Sequence, residues 1–508
     1  VIKYVIKTGA KKILLALPAS LRKQWEIELE EKFNLDEDAV KIIDRGTINF
    51  DPVGLLDHWL LDSHKLSIAI TSYDFSSKLM KKYPSVKWDF IVIDEAHNLR
   101  NVFHGTKRAK RLYDCSHNIP KILLTATPLQ NSLTDLHGLV SFIDDKIFGS
   151  EKAFNKQYTE DGDYTSLKRN LSPVLYRTLR RDVSKYMHFA NRESRTFDFE
   201  LTLDERELYM QVNNFLKRDN LYCLPNSNRR LLILVVRKLL ASSSFALIET
   251  FEVMRERLEK LKQGTKSAKA NDGFELFWQY LDDEIDEDSF DNEDADIIFQ
   301  RQQIQEEIEE IDEIIETAKR IKTNAKIKSL KTAVEVAFNM QRERGINEKV
   351  VIFTESKRTQ KYIAEELISA GYDDDDIVLF NGENSDEKTR KIYKAYQVKN
   401  FGKTNYGPSV ERKHAIVDYF ANNAKILILT DAGSEGLNLQ FCNTVINYDL
   451  PWNPMKIEQR IGRCHRYGQQ NDVVAINLLN TSNAADKRVY DILANKFELF
   501  DGVFGASN

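Results

Sequence analysis

The chain has 508 residues, of which 42% are hydrophobic and 30% are charged, and its formal net charge is −5. At roughly 150 residues per domain this length predicts about three domains, and the composition is that of a folded protein with several cores. The longest apolar run, residues 231–236, is too short for a membrane-spanning helix, which needs about 18 apolar residues. The four cysteines show no CxxC spacing, so neither a disulfide scaffold nor a zinc site is indicated. We therefore expect a cytosolic protein with reduced thiols and no membrane partner.

Short apolar runs that end in turn-forming residues occur in two groups, one in each half of the chain. Such runs are typical of strands that are buried on both faces of a parallel sheet and alternate with helices. The runs are residues 13–17, 66–70, 90–93 and 122–124 in the first group, and 350–353, 377–380, 426–429, 445–447 and 473–479 in the second. The sequence therefore predicts an α/β protein with two lobes, each built on a parallel sheet.

The segment between the two groups has few strand signals and long helical patterns. Residues 282–296 contain ten Asp or Glu and no Lys or Arg, which predicts a solvated or flexible loop. A following helix has apolar residues at heptad spacing, namely Ile304, Ile308, Ile311, Ile315 and Ala318. This seam is too short to require a dimer, so we favour an intramolecular helical hairpin, and a protein partner bound through a coiled coil stays open as the alternative.

These changes of character along the chain define three predicted domains. The first lobe comprises residues 1–206, and the second lobe comprises residues 336–508. Between them, residues 207–335 form a helical, partly acidic insertion.

Two adjacent carboxylates, Asp94 and Glu95, follow an apolar strand in the segment IVIDEAHNLR, residues 91–100. In open α/β sheets, side chains at the carboxyl ends of strands face the ligand crevice. One carboxylate there can hold the hydrated Mg²⁺ of a nucleotide, while its neighbour orients or deprotonates an attacking water. A solvated acidic pair, or charges at a helix N-terminus, is the structural alternative for such a doublet.

The residues Asp94, Glu95, Ala96 and His97 match the DEAH form of the second motif of superfamily-two helicase-like ATPases. Five further segments resemble other motifs of that family and follow the family's order: residues 13–25, 71–75, 125–136, 430–440 and 447–469. The third of these, TATPLQNSLTDL, resembles the form used by Swi/Snf-type enzymes, and the last two are similar to bacterial RapA-like members. The resemblance implies two RecA-like lobes, ATP and Mg²⁺ as cofactors, and movement along double-stranded DNA coupled to ATP hydrolysis.

The resemblance also implies roles for individual residues. Asp94 would bind Mg²⁺, and Glu95 would act on the attacking water. Arg463 and Arg466, in EQRIGRCHRYGQ, would be arginine fingers, because guanidinium groups suit the charge of a transferring phosphoryl group. Gln459 would lie near the attacking water or the γ-phosphate. The remaining candidates are His97, Gly433, Gly436 and Arg460 for nucleotide binding, and Thr125, Thr127 and Asp431 for coupling to nucleic acid.

Each of these segments also has a purely structural interpretation. A helix with an arginine at every third position can make surface salt bridges only. The glycines after the strand-like run ILILT can serve a simple turn, and the threonine hydroxyls can satisfy turns of the backbone. The ordered set of motifs favours the functional interpretation in each case.

No segment of the chain fits the phosphate-binding pattern GxxxxGK[ST]. The sequence GKT at residues 402–404 lacks the earlier glycine and the preceding buried strand, so we reject it. In the resembled family this loop lies just upstream of the segment matched by residues 1–25. We therefore expect that the chain, which opens with Val1, begins after that loop, and that the absence of the loop leaves residues 1–508 alone inactive.

Two segments, residues 167–183 and 228–240, combine basic and apolar positions and are candidates for contact with a nucleic-acid backbone. Amphipathic helices with solvated basic faces are the alternative. Trp452 is either a stacking residue or a core residue.

Our main hypothesis is a DNA-dependent ATP hydrolase that translocates along duplex DNA in the bacterial cytosol or nucleoid. A strand-separating DNA or RNA helicase, and a nucleic-acid-binding scaffold without hydrolysis, are the rival hypotheses.

Overall fold

The computed structural model describes residues 2–480 except 34, 50–53, 104–106, 126–131, 177–189, 219, 225–228, 264–300, 401–407, 432–436, 452–453 and 467. The chain divides into two compact units, one within Val1–Val183 and the other within Ser184–Ala494. Each unit contains its own parallel sheet, which confirms the predicted α/β class with two lobes.

The first unit is built on a five-stranded parallel sheet with the strand order β2-β3-β1-β4-β5. Its strands are β1 (Lys12–Leu17), β2 (Val40–Ile42), β3 (Ser67–Ser72), β4 (Phe90–Ile93) and β5 (Lys121–Leu123). All six residues of β1 are buried, because helices cover both faces of the sheet. Its successive side chains alternate between two cores, with Leu14 in one and Ile13 and Leu15 in the other.

The helices of the first unit connect these strands and cover the sheet. They are α1 (Ile2–Lys7), α2 (Arg22–Phe33), α3 (Arg45–Asn49), α4 (Leu55–Leu61), α5 (Tyr73–Lys82), α6 (Lys107–Ser116), α7 (Thr134–Ile143), α8 (Glu151–Phe154) and α9 (Tyr164–Leu171). A short 3-10 turn, Ala96–Leu99, follows β4, and a π-helical turn, Asn155–Glu160, follows α8.

The second unit is built on a six-stranded parallel sheet with the strand order β6-β11-β10-β7-β9-β8. Its strands are β6 (Arg192–Phe199), β7 (Val350–Thr354), β8 (Ile377–Phe380), β9 (Ile426–Thr430), β10 (Thr444–Asn447) and β11 (Val473–Asn480). The central strands are again buried on both faces: Val351 and Phe353 lie in one core, and Val350 and Ile352 in the other.

The helices of the second unit fall into a bundle and a set that covers the sheet. The bundle helices are α10 (Leu203–Phe215), α11 (Arg229–Ser242), α12 (Ser244–Lys262) and α13 (Arg301–Arg320). The others are α14 (Ala325–Glu343), α15 (Lys357–Ser369), α16 (Glu387–Lys399), α17 (Pro408–Asn422) and α18 (Pro454–Cys464). Among the described residues, no helix combines the length and the apolar character that crossing a membrane requires.

The heptad seam of α13 faces the interior of the bundle. Its members Ile304, Ile308, Ile311, Ile315 and Ala318 are all buried in one core, which α10, α11 and α12 share. The intramolecular interpretation of the seam is therefore confirmed, because a seam buried within one chain offers no face for a coiled-coil partner. The acidic tract, residues 282–296, lies outside the described residues.

Both predicted domain boundaries differ from the structure. The sequence predicts that the first lobe ends at residue 206 and so includes residues 192–199, but these residues form β6 at the edge of the second sheet. This edge strand carries exposed polar residues and has no apolar run, so it gave no strand signal. The boundary at residue 335 falls inside α14, whose Ile327 and Leu330 pack in a core of the second sheet.

Candidate functional site

Asp94 and Glu95 lie at the carboxyl end of β4, where the chain leaves the first sheet. The backbone N–H of Asp94 still donates to the carbonyl of Ala16 in β1, at 3.0 Å, so the strand pairing continues up to the first carboxylate. Glu95 then adopts a left-handed backbone conformation, with φ of 48° and ψ of 46°. A non-glycine residue in this region carries backbone strain, and such strain occurs preferentially at functional sites.

The carboxylate of Asp94 is held from two sides. Its Oδ2 accepts a hydrogen bond of 2.7 Å from the indole Nε1 of Trp25, and its Oδ1 accepts one of 2.9 Å from the backbone N–H of Glu95. Burial raises the pKa of Asp94 above its ordinary value, and the Trp25 hydrogen bond opposes this rise by stabilising the carboxylate. Trp25 thus fixes the orientation of a carboxylate that burial would otherwise push towards the neutral form.

Glu95, His97 and Thr125 form a connected group beside Asp94. The His97 Nδ1 lies 3.2 Å from the Glu95 Oε2 and 3.2 Å from the Thr125 Oγ1. The structure therefore brings together four of the predicted site residues, because the turn after β4 and the end of β5 meet at the same edge of the sheet. Thr127, the fifth candidate in this part of the chain, lies outside the described residues.

Tyr73 supports the backbone of the same two carboxylates. Its buried hydroxyl lies 2.5 Å from the Asp94 carbonyl and 3.1 Å from the Glu95 carbonyl, and it donates its hydrogen towards this pair. Burial raises the pKa of Tyr73 far above its ordinary value, so the hydroxyl stays protonated and remains a donor. Tyr73 begins α5 within the segment 71–75, and neither it nor Trp25 was among the predicted site residues.

Arg100 connects the turn after β4 to α7, which follows the segment resembling the third motif. Its Nη1 donates to the carbonyl of His97 at 2.9 Å, and its Nε lies 3.7 Å from the Asp135 Oδ1. The backbone of α7 comes so close to Arg100 that a Cβ added to Gly138 would lie 1.8 Å from the Arg100 carbonyl oxygen. Gly138 is therefore required for this approach of backbone to backbone.

In the second unit, α18 carries Gln459, Arg460 and Arg463, and Arg466 lies two residues after its end. Gln459, Arg463 and Arg466 are half-buried. The Arg466 Nε donates to the carbonyl of Gly462 at 2.9 Å. Gly433, Gly436 and Trp452 lie outside the described residues, so their predicted roles stay predictions.

Arg460 is buried and its guanidinium binds within the protein. Its Nε and Nη2 donate to the two carboxylate oxygens of Asp431 at 2.7 and 2.6 Å, and its Nη1 donates to Asn447 and to the Asp449 carbonyl. These bonds occupy four of the five N–H donors of an arginine. These contacts hold α18 against the ends of β9 and β10. The nucleotide-binding role of Arg460 stays a prediction. Asp431, expected to contact nucleic acid, is its partner here.

The described helices of the two basic segments are amphipathic. In α11, Leu232, Val235, Val236 and Leu239 are buried in the bundle core, while Lys238 makes an ion pair with Glu355 at 2.8 Å. These contacts favour the structural interpretation of residues 228–240. In α9, Leu167 and Leu171 are buried, and residues 177–183 of that segment lie outside the described residues.

The chemistry of Asp94 fits a magnesium ion. Its carboxylate oxygens are hard donors, each of which has accepted one hydrogen bond and keeps further acceptor capacity. Within the described residues, no group of three or more His, Cys, Asp or Glu side chains could hold a metal ion. Protein sites for Mg²⁺ usually combine one or two carboxylates with phosphate and water oxygens, so the Asp94 carboxylate is the group that would hold the ion.

Two protein-family domains match this chain. Residues 2–268 match the SNF2-related domain, and residues 325–468 match the helicase conserved C-terminal domain.

Relatives of known sequence extend these matches over most of the chain. It is 29% identical over 512 residues to the uncharacterized ATP-dependent helicase YqhH of Bacillus subtilis, which covers 99% of this chain and 72% of YqhH. It is 23% identical to the human lymphoid-specific helicase, over 85% of this chain and 50% of that protein. It is 24% identical to the human chromodomain-helicase-DNA-binding protein 7, over 88% of this chain and 12% of that protein. The chain thus spans half or less of the two human proteins.

Two solved structures also resemble the chain. The Hef helicase domain of Pyrococcus furiosus is 18% identical, with a TM-score of 0.47, over 96% of this chain and 90% of that one. The SWI2/SNF2 ATPase core of Sulfolobus solfataricus in complex with dsDNA is 20% identical, with a TM-score of 0.34, over 99% and 84%.

Proposed function

Because this chain belongs to the SNF2-related family of ATP-dependent helicases and translocases, we propose that it is the motor of a DNA-dependent ATPase that moves along duplex DNA. One observation supports this most directly: Asp94 and Glu95 follow each other at the end of β4, where Trp25 of α2 binds the Asp94 carboxylate, His97 lies 3.2 Å from the Glu95 carboxylate, and Tyr73 of α5 holds the backbone of the pair. In such a pair, one carboxylate can bind the metal ion and the other can activate the attacking water, which are two tasks of nucleotide hydrolysis.

In this proposal, Asp94 would hold Mg²⁺. Glu95 orients the attacking water and takes up its proton, while the water oxygen bonds to the terminal phosphorus of ATP and the bond from that phosphorus to the oxygen of the departing ADP breaks. When Mg²⁺ is bound, it neutralises part of the negative charge on the phosphates. His97 contacts the Glu95 carboxylate and so restricts its position. Tyr73 and Trp25 keep the backbone and the first carboxylate in place. Gly433 and Gly436 would allow close approach of the backbone to the nucleotide.

We further propose that Arg463 and Arg466 stabilise the charge of the transferring phosphoryl group, with Gln459 acting on the attacking water. Guanidinium groups suit this task because they are always charged and present several donors in one plane. Arg460 has a different role in this proposal, since its guanidinium is already bound to Asp431. It fixes the helix that presents Gln459 and Arg463.

Duplex DNA is the proposed track, with Thr125, Thr127 and Asp431 in segments that couple it to the nucleotide. The family resemblance supports this choice, as does the name of the chromodomain-helicase-DNA-binding relative. The RapA-like subgroup and a place in the bacterial cytosol or nucleoid are parts of the same proposal.

The test is ATP turnover by the full-length protein without nucleic acid and with duplex DNA, single-stranded DNA or RNA. Stimulation by duplex DNA, without displacement of a strand from short duplexes, supports the translocase. Preferential stimulation by single strands or RNA, with strand displacement, supports the helicase instead. If nucleic acid binds and no condition gives turnover, the protein is a binding scaffold. We expect residues 1–508 alone to turn over ATP much more slowly than the full-length protein, because this chain contains no GxxxxGK[ST] segment.

A further inference from the structure

Three acidic residues lie at the carboxyl ends of three neighbouring strands of the second sheet. Glu355 follows β7 directly, Asp431 follows β9 directly, and Asp449 lies two residues after β10. The strand order β10-β7-β9 makes these strand ends adjacent. We call these three residues the carboxylate row.

Each member of the carboxylate row has its own cation, and each cation comes from a different helix. Arg460 of α18 lies 2.6 Å from Asp431, Lys238 of α11 lies 2.8 Å from Glu355, and Lys326 of α14 lies 2.7 Å from Asp449. Among these six side chains the most exposed, that of Asp431, is 25% exposed. Removing one partner of a buried pair leaves an uncompensated charge, which is strongly unfavourable.

Asp449 is the most heavily bonded member of the row. Besides Lys326, its carboxylate accepts hydrogen bonds from the Thr354 hydroxyl at 2.7 Å, the Ser242 hydroxyl at 3.0 Å and the Glu355 backbone N–H at 3.1 Å. Burial opposes the ionisation of Asp449, but Lys326 and these hydrogen bonds outweigh it and hold its pKa below the ordinary value. Asp449 is therefore a carboxylate whose position depends on several helices and strands at once.

The bundle contributes directly to this arrangement. Ser242 is the last residue of α11, and the Lys326 ammonium that binds Asp449 also donates to the carbonyl of Ala241 in the same helix, at 3.0 Å. With Lys238 bound to Glu355, the end of α11 is anchored at two places on the row.

The row is connected in turn to the arginine helix α18. The Arg460 guanidinium that binds Asp431 also donates to the backbone carbonyl of Asp449, at 2.6 Å. A continuous set of ion pairs and hydrogen bonds therefore runs from the bundle through Asp449 to Arg460. Arg460 precedes Arg463 by about one turn of the same helix.

We propose that Lys326 and Lys238 are positioning residues, which set the orientation of α18 through the carboxylate row and so control the alignment of Arg463. This inference rests on the proposed ATPase function for its consequence in catalysis. The link itself is a property of the second unit and can be measured without turnover. In this proposal, the helical bundle helps to position the arginines of the second lobe.

The experiment compares the Lys326→Met variant with the unmodified full-length protein. Hydrogen exchange of the α18 amides should become at least about tenfold faster in the variant, while exchange in β1 and β3 of the first unit stays unchanged. With duplex DNA, kcat should fall by about tenfold or more at a KM for ATP within about twofold, because misplacement of a transition-state group lowers kcat.

Two further variants separate positioning from loss of folding. Lys319→Met removes an exposed lysine of the bundle helix α13 that pairs with Glu252, and it should leave both readouts unchanged. The double variant Lys326→Met with Asp449→Asn removes both charges, and it should recover part of the lost exchange protection and of kcat.

Unchanged exchange in α18, or equal effects of Lys326→Met and Lys319→Met, would overturn the positioning role. Failure of the proposed ATPase function gives a different result from failure of the positioning role. In that case the unmodified protein lacks ATP turnover, while Lys326→Met still accelerates hydrogen exchange in α18.

Discussion

The indole N–H of Trp25 donates a hydrogen bond of 2.7 Å to the Oδ2 of Asp94, although the two residues are 69 positions apart in the sequence. Trp25 lies in α2, which follows β1, and Asp94 follows β4, the neighbour of β1 in the sheet. Parallel pairing of β1 with β4 brings the two segments together at one edge, so the sheet topology itself creates this contact.

Trp25→Phe tests this contact, because it keeps an aromatic ring in place and removes only the donor. A hydrogen bond to a charged group contributes about 1.5–3 kcal/mol. We expect ATP turnover to fall roughly tenfold at low Mg²⁺ and to recover as the Mg²⁺ concentration rises, since the carboxylate is less well oriented. Trp59→Phe is the matched control, because the Trp59 indole donates to the carbonyl of Asp38 at 2.7 Å and should not affect the Mg²⁺ dependence. A Mg²⁺ titration that Trp25→Phe leaves unchanged would contradict the role of Trp25.

Glu95→Gln removes the proposed proton acceptor and preserves the size of the side chain. The variant should bind ATP with nearly unchanged affinity and lose turnover by about 100-fold or more, in the range typical of a general base. Equilibrium binding of a fluorescent ATP analogue and steady-state turnover measure the two effects. Asp74→Asn, an exposed substitution on α5, serves as the control. Turnover that survives in Glu95→Gln would remove Glu95 from its proposed role.

Arg466→Ala removes one of the two proposed arginine fingers. Because such groups contribute a factor of about 10³ or more to phosphoryl transfer, we expect a loss of that order in kcat with duplex DNA present. The exposed Arg390→Ala on α16 removes the same charge from the same unit and should leave kcat unchanged. A kcat for Arg466→Ala within about twofold of the unmodified protein is incompatible with the finger assignment.

Gly138→Ala should destabilise the first unit by about 3 kcal/mol or more, because the added Cβ would lie 1.8 Å from the Arg100 carbonyl oxygen. Gly462→Ala is the control, because a Cβ added at this position of α18 has no neighbouring atom within 4 Å. There the replacement should stabilise by about 0.5–1 kcal/mol, which is the usual gain of alanine over glycine in a helix. Urea denaturation of both variants measures the difference, and equal effects would show that the close approach of α7 to Arg100 is absent.

The sequence predicts the central strands of both sheets well, because a strand buried on both faces must be a continuous apolar run. The same rule explains why β6 escaped prediction: its residues 192–199 form an exposed edge and carry polar side chains. The strand β2 is hard to predict for a different reason: it has only three residues, too few to form a recognisable apolar run. Edge strands and very short strands are specified by their neighbours more than by their own composition.

For the site, the motifs predicted which residues lie at the strand ends, and the structure brings Asp94, Glu95, His97 and Thr125 together. They could not predict which side chains hold those residues in place. Lys326 binds Asp449 across 123 positions, and Trp25 binds Asp94 across 69. Such contacts depend on the order of strands in the sheet, which is a property of the whole fold.

During synthesis of the chain, the pairing of the edge strand of the second sheet with its neighbour is delayed. Among the described strands, this edge strand, β6, pairs with β11 alone, so that Arg192 stands opposite Val473, which lies 281 positions later in the sequence. At about 5–20 residues per second, a ribosome takes roughly 15–55 s to produce the second strand after the first. During that interval β6 has no partner in its own sheet, and its exposed charged residues protect it from pairing with another nascent chain.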